Sequence, residues 1–292
     1  MANLSRILAP VEFSPRCRGA VQYAEALARQ FRSEIVLLHV IPPPMAYFGS
    51  FDSVSWYTSE EFARDLEQSR TKALEDFPCH VEQGCSVRRL VRHGDPAQTI
   101  VEVAAAEHAG LIIMPTHGYG PFRRFLLGSV TAKVLHDAAC PVWTRPHMES
   151  SPDPEAFAIR RVLCAVDLGP HTRQVMCWSA QFAAEWNAAL SILHAIPFTM
   201  TRLGPIYFDP EWRLMLIGQA RERMAFLAGD MGIRAEIEVD SGDVAAVVRD
   251  TVKARQIDLV VMGRGSGAHA HPRLPSDAYA IAREAPCPSV AV

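Results

Sequence analysis

Lysine is scarce in this chain: only Lys72, Lys133 and Lys253 occur, and no GxxxxGK[ST] is present, which excludes a Walker-type phosphate loop. Long apolar runs are missing too. None approaches the ~18–20 residues needed to cross a bilayer. The first ten residues lack the charged start and apolar stretch of a secretory signal, so we expect a cytoplasmic protein with no membrane partner. Cysteine comes without pattern. Cys17, Cys79, Cys85, Cys140, Cys164, Cys177 and Cys287 are odd in number and form no CxxC, which predicts reduced, unpaired thiols. Clustered positive charge is also lacking: 29 Lys+Arg face 32 Asp+Glu, net charge -3, and no basic run is long enough to follow a nucleic-acid backbone.

The chain has length and repetition instead. Its 292 residues suit two domains, since domains cluster near ~100–150 residues. Arg6 to Pro42 (RILAPVEFSPRCRG…IVLLHVIP) lies over Arg161 to Pro197 (RVLCAVDLGPHTRQ…LSILHAIP) at an offset of 155. Gly94-Asp95 and Leu111–Met114 then lie over Gly242-Asp243 and Leu259–Met262 at 148, and Cys140-Pro141 over Cys287-Pro288 at 147. A fixed offset reports architecture directly, so one domain has been written twice and shortened in its second copy. The expected domains are 1–147 and 158–292, joined by a Pro-, Ser- and acid-rich linker over 148–157.

Each half alternates strand and helix. Ile7–Val11, Ile35–Val40, Cys85–Val91, Leu111–Met114 and Val142–Arg145 read as strands; the spacing predicts helices after Pro15 and over Glu60–Phe77, Pro96–Ala109 and Ser129–Ala138. That order implies a parallel sheet with helices on both faces, whose ligand would sit beyond the carboxyl ends of the strands. Glu12 and Asp167 stand at the end of strand one. Such a carboxylate either accepts hydrogen bonds from ribose hydroxyls or an adenine amino group, or caps the next helix. Val40 and Ala195 end strand two, where backbone groups meet a base edge. After Met114, Gly118 and Gly128 bracket a loop with Arg123 and Arg124 available to phosphate oxygens, and Ser129 suits the N-cap of a helix whose free N–H groups favour phosphate. His39 and His194 interrupt apolar strands without a partner acid or nucleophile nearby in sequence, so they read as packed structural histidines. His269-x-His271 shares one face of an extended segment but falls short of the three or four ligands zinc takes, so no metal is expected.

These residues resemble the universal stress protein family in its tandem, two-domain form. The resemblance rests on the strand-one signature, LLHV and ILHA, the two Gly-Asp pairs, LIIM-PTHG, LLGSVTAKVL and the CPV ending, and it spans nearly the whole chain. It implies two doubly wound α/β domains like those of adenine nucleotide α-hydrolases, each with a five-stranded parallel sheet. It further implies an internal pseudo-dimer through Val142–Arg145 and Ser289–Val292.

One branch of the family binds ATP through Gly-x2-Gly-x9-Gly-Ser/Thr and an Asp after strand one. Here Gly118, the nine residues Tyr119–Leu127, Gly128 and Ser129 match, but Pro115 replaces the first glycine and Glu12 the Asp. In the second half Asp167 and Gly263 match, whereas Ser266 and Pro275-Ser276 depart from the pattern.

The resemblance therefore implies ATP, with or without Mg2+, or another adenine nucleotide. It would be held mainly by Pro10, Val11, Glu12, Val40, Met114, His117, Gly118, Arg123, Arg124, Gly128, Ser129 and Val130. A weaker second site would comprise Val166, Asp167, Ala195, Met262, Gly263, Arg264 and Ser276. The loops EFSPRC and DLGPHT carry no catalytic signature, so a regulatory or scaffolding role with at most slow ATP hydrolysis is implied, with an unidentified protein partner or a homodimer. The competing expectation is a protein-interaction module whose pockets Pro115 and Pro275 close.

Overall fold

The structure is a computed structural model that describes residues 4–43, 60–82, 84–117, 127–150, 157–197, 210–264 and 276–292. The first half contains β1 (Arg6–Pro10), α1 (Pro15–Phe31), β2 (Glu34–Ile41), α2 (Glu60–Glu75), β3 (Ser86–His93), α3 (Pro96–Ala106), β4 (Leu111–Ile113), α4 (Ser129–Asp137) and β5 (Val142–Thr144). The second contains β6 (Arg161–Ala165), α5 (Thr172–Glu185), β7 (Ala189–Pro197), α6 (Pro210–Asp230), β8 (Glu236–Gly242), α7 (Val244–Arg255), β9 (Leu259–Met262), α8 (Ser276–Glu284) and β10 (Ser289–Ala291). Two compact units result. One is Asn3–Val142 with His147–Phe157; the other includes Ala158–Val292 and Trp143–Pro146.

In the first unit the strands run β3-β2-β1-β4, in the second β10-β9-β6-β7-β8, and each of these neighbouring pairs is parallel. Ile7 pairs with Ile35 and Leu111, and 155 residues later Val162 pairs with Leu190 and Leu259. Apolar side chains on both faces drive this arrangement. Ile7, Leu8, Leu111 and Ile112 in one unit, like Val162, Leu163, Leu259 and Val260 in the other, are fully buried. Each such side chain contributes about 1.5–3 kcal/mol. This is the doubly wound α/β class that the repeat predicted.

Local signals fix the helix starts. Ser14 caps α1 by accepting from the Cys17 N–H at 3.3 Å, with Pro15 preset at the first turn. Asp95 caps α3 by accepting from Gln98 N–H, and Asp243 caps α7 by accepting from Ala246 N–H, both at 2.9 Å. The twice-used Gly-Asp pair thus has a mechanical reason. Asp holds the helix, and Gly94, at φ +146, leaves no room for a side chain because a Cβ would sit 2.6 Å from Thr99 Oγ1.

Two expectations need correction. Ser129 is the first residue of α4 rather than its cap: Gly128 has the extended cap geometry, and its carbonyl accepts the first helical bond from Ala132 N–H at 2.8 Å. α3 also stops at Ala106, short of Ala109, because His108 turns left-handed at φ +50. In the segment read as a linker, Met148–Ser150 is a single 3-10 turn, Glu149 pairs with Arg16 at 3.4 Å, and Phe157 meets Tyr23 edge-on at 5.4 Å. All seven cysteines are free thiols, with burial pushing those of Cys164 and Cys287 up to about 12.

The backbone repeats as faithfully as the sequence. Left-handed residues recur in pairs at the two offsets: Phe13 with Leu168, Arg32 with Asn187, Gly84 with Gly232, Gly94 with Gly242, and His108 with Gln256. Among the described residues only His147 has no counterpart. A non-glycine residue held at positive φ carries about 1–2 kcal/mol of strain, so its recurrence marks turns the fold requires.

Candidate functional site

In the first unit the strand order reverses between β1 and β4, and a cavity of about 650 Å3 opens there at the carboxyl ends of the strands. Pro10, Val11 and Glu12 line it from the end of β1, and Val40 from β2. Met114 and His117 follow β4, while Gly128, Ser129 and Val130 bring the start of α4. Every described residue expected at this site therefore faces one space. Gly118, Arg123 and Arg124 lie outside the described residues, as do His269 and His271.

The rim is built by short-range bonds. The ends of the loop are fastened together, since Gly128 N–H donates to Thr116 O at 2.7 Å and Thr131 Oγ1 donates to Pro115 O at 2.9 Å. Pro115 lines the cavity but has no N–H to offer a ligand. Glu12 is exposed, and its Oε1 accepts from the Ser14 hydroxyl at 2.9 Å. Ser14, not Glu12, is the cap, so the carboxylate stays at the cavity edge. His39 donates its Nδ1 proton to Val11 O at 2.7 Å, tying strand two to the end of strand one. Burial holds the His39 imidazole below its ordinary pKa despite that bond, with the Arg70 charge acting in the same direction as burial.

Phe13, Arg70, Pro96 and Ile100 are among the lining residues not expected at this site. Phe13, left-handed at φ +64, lays its ring 4.5 Å from that of His39 and 6.1 Å from Phe77. Arg70 of α2 sets its guanidinium 5.9 Å from the Phe13 centroid, and it is the one Lys or Arg among the described lining residues. Pro96 and Ile100 add the side of α3. A positive-φ phenylalanine has no sequence signature, and Arg70 comes from a helix whose tie to the strand ends is tertiary. The sequence did offer one signal: Phe13 aligns with Leu168 within the repeat.

The second unit has a cavity at the same place, of about 190 Å3. Of the residues expected at a second site, Val166, Asp167, Ala195, Met262 and Gly263 line this cavity; Arg264 is not part of that lining, and Ser276 opens α8. Asp167 Oδ1 accepts from Gly169 N–H at 2.8 Å, turning back onto its own loop. His194 repeats the role of His39, donating from Nδ1 to Val166 O at 2.8 Å. A further difference lies at the helix start. Asp277, in the first turn of α8, lines this cavity where Val130 lines the other, 147 residues earlier.

No group of three or more His, Cys, Asp or Glu suited to a metal occurs among the described residues, and no described helix is long and apolar enough to cross a membrane.

The Universal stress protein family model matches residues 3–145 and again 158–292. Universal stress protein MJ0531 of Methanocaldococcus jannaschii is 30% identical over 137 residues, 47% of this chain and 79% of that protein. Universal stress protein A homolog 1 of Coxiella burnetii is 31% identical over 141 residues, 48% of this chain and 94% of that one. The crystal structure of a universal stress protein from Archaeoglobus fulgidus covers 99% of this chain and 96% of its own at a TM-score of 0.66. Its 20% identity makes that a likeness of fold alone.

Proposed function

The chain belongs to the universal stress protein family, and on that premise we propose that its first unit binds ATP or a related adenine nucleotide. The chain as a whole then regulates or scaffolds a stress response in the cytoplasm, with catalysis no faster than slow ATP hydrolysis. The observation that carries this reading is the contrast between the cavities. About 650 Å3 falls within the ~300–1,000 Å3 of small-molecule sites, whereas about 190 Å3 falls below it.

Charge points the same way. The first cavity ends on the amino-terminus of α4, where free N–H groups favour phosphate. The second meets the Asp277 carboxylate there, which repels it. Glu12, at the edge, suits ribose hydroxyls. Any Mg2+ would enter with the triphosphate, because Glu12 is the one carboxylate among the described lining residues.

Purified protein, heat-denatured, should release adenine nucleotide into the supernatant, and calorimetry with ATP and Mg2+ should give saturable heat. Absence of binding at millimolar ATP would sink the reading. A second reading, a module that binds another protein or a second copy of this chain, is favoured by Leu214 and Phe226 of α6, 68% and 71% exposed. Under it, partner capture persists unchanged when nucleotide binding is weakened by Val130→Asp.

A further inference from the structure

Phe13 is an unusual residue to leave at the mouth of a cavity. A bulky side chain at φ +64 is strained, and the ring is only half-buried. The turn itself does not call for an aromatic, because Leu168 takes the same turn at φ +57 in the second unit. What the aromatic adds is a flat face. His39 supports the ring at 4.5 Å and Phe77 at 6.1 Å, so its orientation is set by packing. Arg70, carried by α2, stands over it at 5.9 Å.

In the second unit an arginine again reaches this turn from the helix that follows the second strand, but Arg223 Nη2 donates to Leu168 O at 3.3 Å. There the guanidinium holds backbone. In the first unit it faces a ring and lines the larger cavity.

We propose that Phe13 and Arg70 form a purine clamp, the specificity-determining element of the first cavity. The inference rests on the nucleotide reading above and goes beyond it by naming what selects the base. A flat base held between the ring and the guanidinium needs about 7–8 Å from plate to plate, twice a normal van der Waals separation. The jaws stand at 5.9 Å, so an arginine on one helix face has to yield by only about 1–2 Å. The phenyl ring and the guanidinium plane both stack on π-systems, and a two-ring purine offers them more area than a one-ring pyrimidine. The preference therefore falls on purine nucleotides, with the phosphates directed toward α4 and away from the clamp.

The test is the ratio of dissociation constants for UTP and ATP, measured by calorimetry on the full chain. Wild type should prefer ATP by roughly tenfold or more, the scale of one stacking contact. Phe13→Leu copies a residue the fold accepts at this turn, and Arg70→Lys keeps the charge but removes the plane. Both should bring the ratio toward one while leaving UTP affinity within about twofold. Thermal melts check that each variant is folded. Equal affinity of wild type for ATP and UTP, or variants that weaken both nucleotides alike, would overturn the clamp and leave the nucleotide reading standing. Failure of wild type to bind either nucleotide would overturn both.

Discussion

The two units share a backbone down to their left-handed turns, yet one encloses about 650 Å3 and the other about 190 Å3 at the same topological place. What persists is what the fold needs. The His Nδ1 bond to the end of strand one, the Asp cap after glycine and the buried strand residues appear in both units. What differs lies at the cavities: Phe13 lines the first whereas its counterpart Leu168 is not part of the lining of the second, and Val130 stands against Asp277 and Pro115 against Gly263.

One structural contact has been rewritten without being lost. Arg88 of β3 pairs with Glu107 after α3, and 148 residues later Glu236 of β8 pairs with Arg255 of α7. The charges are exchanged and the pair survives. Even the side contact recurs, since Arg6 Nη1 donates to Glu107 O as Arg161 Nη1 donates to Arg255 O. Exchange of both partners keeps the pair, whereas exchange of one would set like charges against each other. By contrast, Val130 against Asp277 is a change of polarity at one cavity-lining position. That asymmetry is why we place the functional divergence of the units at the helix start.

The largest effect should be symmetric. Leu8→Ala and Leu163→Ala remove equivalent, fully buried side chains, and each should destabilise its own unit by about 2–5 kcal/mol in chemical denaturation. A marked inequality would mean that the cores, and not only the cavities, have diverged.

Next comes the helix start. Val130→Asp copies the second unit and should weaken ATP binding by roughly 10- to 100-fold. It should leave the melting temperature unchanged or higher, because a carboxylate in the first turn favours a helix. The reverse change, Asp277→Val, should not create a second ATP site, since the cavity stays near 190 Å3.

The exchanged ion pair gives a smaller signal. Arg88→Glu should cost about 1 kcal/mol, and adding Glu107→Arg should recover only part of it in a double-mutant cycle, because Glu34 also pairs with Arg88 and stays beside the new carboxylate.

The smallest effect is a pH slope. Burial lowers the His39 pKa in the folded state, so the unfolded chain takes up the proton first as pH falls. The contribution is complete above the ordinary histidine pKa, near 6.5, and is lost as pH drops from there through the folded value. Thermal melts between pH 7.5 and about 5 should show it, and His39→Gln should flatten it.

Much of this was legible from spacing. Offsets of 155 and 148 fixed two copies of one fold, and the strands were found because their apolar runs are buried on both faces. All nine described residues expected at the first site face one cavity. Other features were hidden for physical reasons. Ser129 looked like a cap because serine caps well, but the cap is a matter of backbone angle, which Gly128 supplies. Phe13 and Arg70 meet only because a left-handed turn aims one and helix packing aims the other. The volumes depend on packing among elements far apart in sequence, so no motif announced that one cavity would be smaller.

The central claim is that one unit of the two binds nucleotide. Calorimetric titration of the full chain with ATP and Mg2+ tests it most directly. The account predicts one site per chain, weakened roughly 10- to 100-fold by Val130→Asp and unchanged by Asp277→Val. Two equivalent sites per chain, or a single site whose affinity Val130→Asp leaves unchanged, would contradict it.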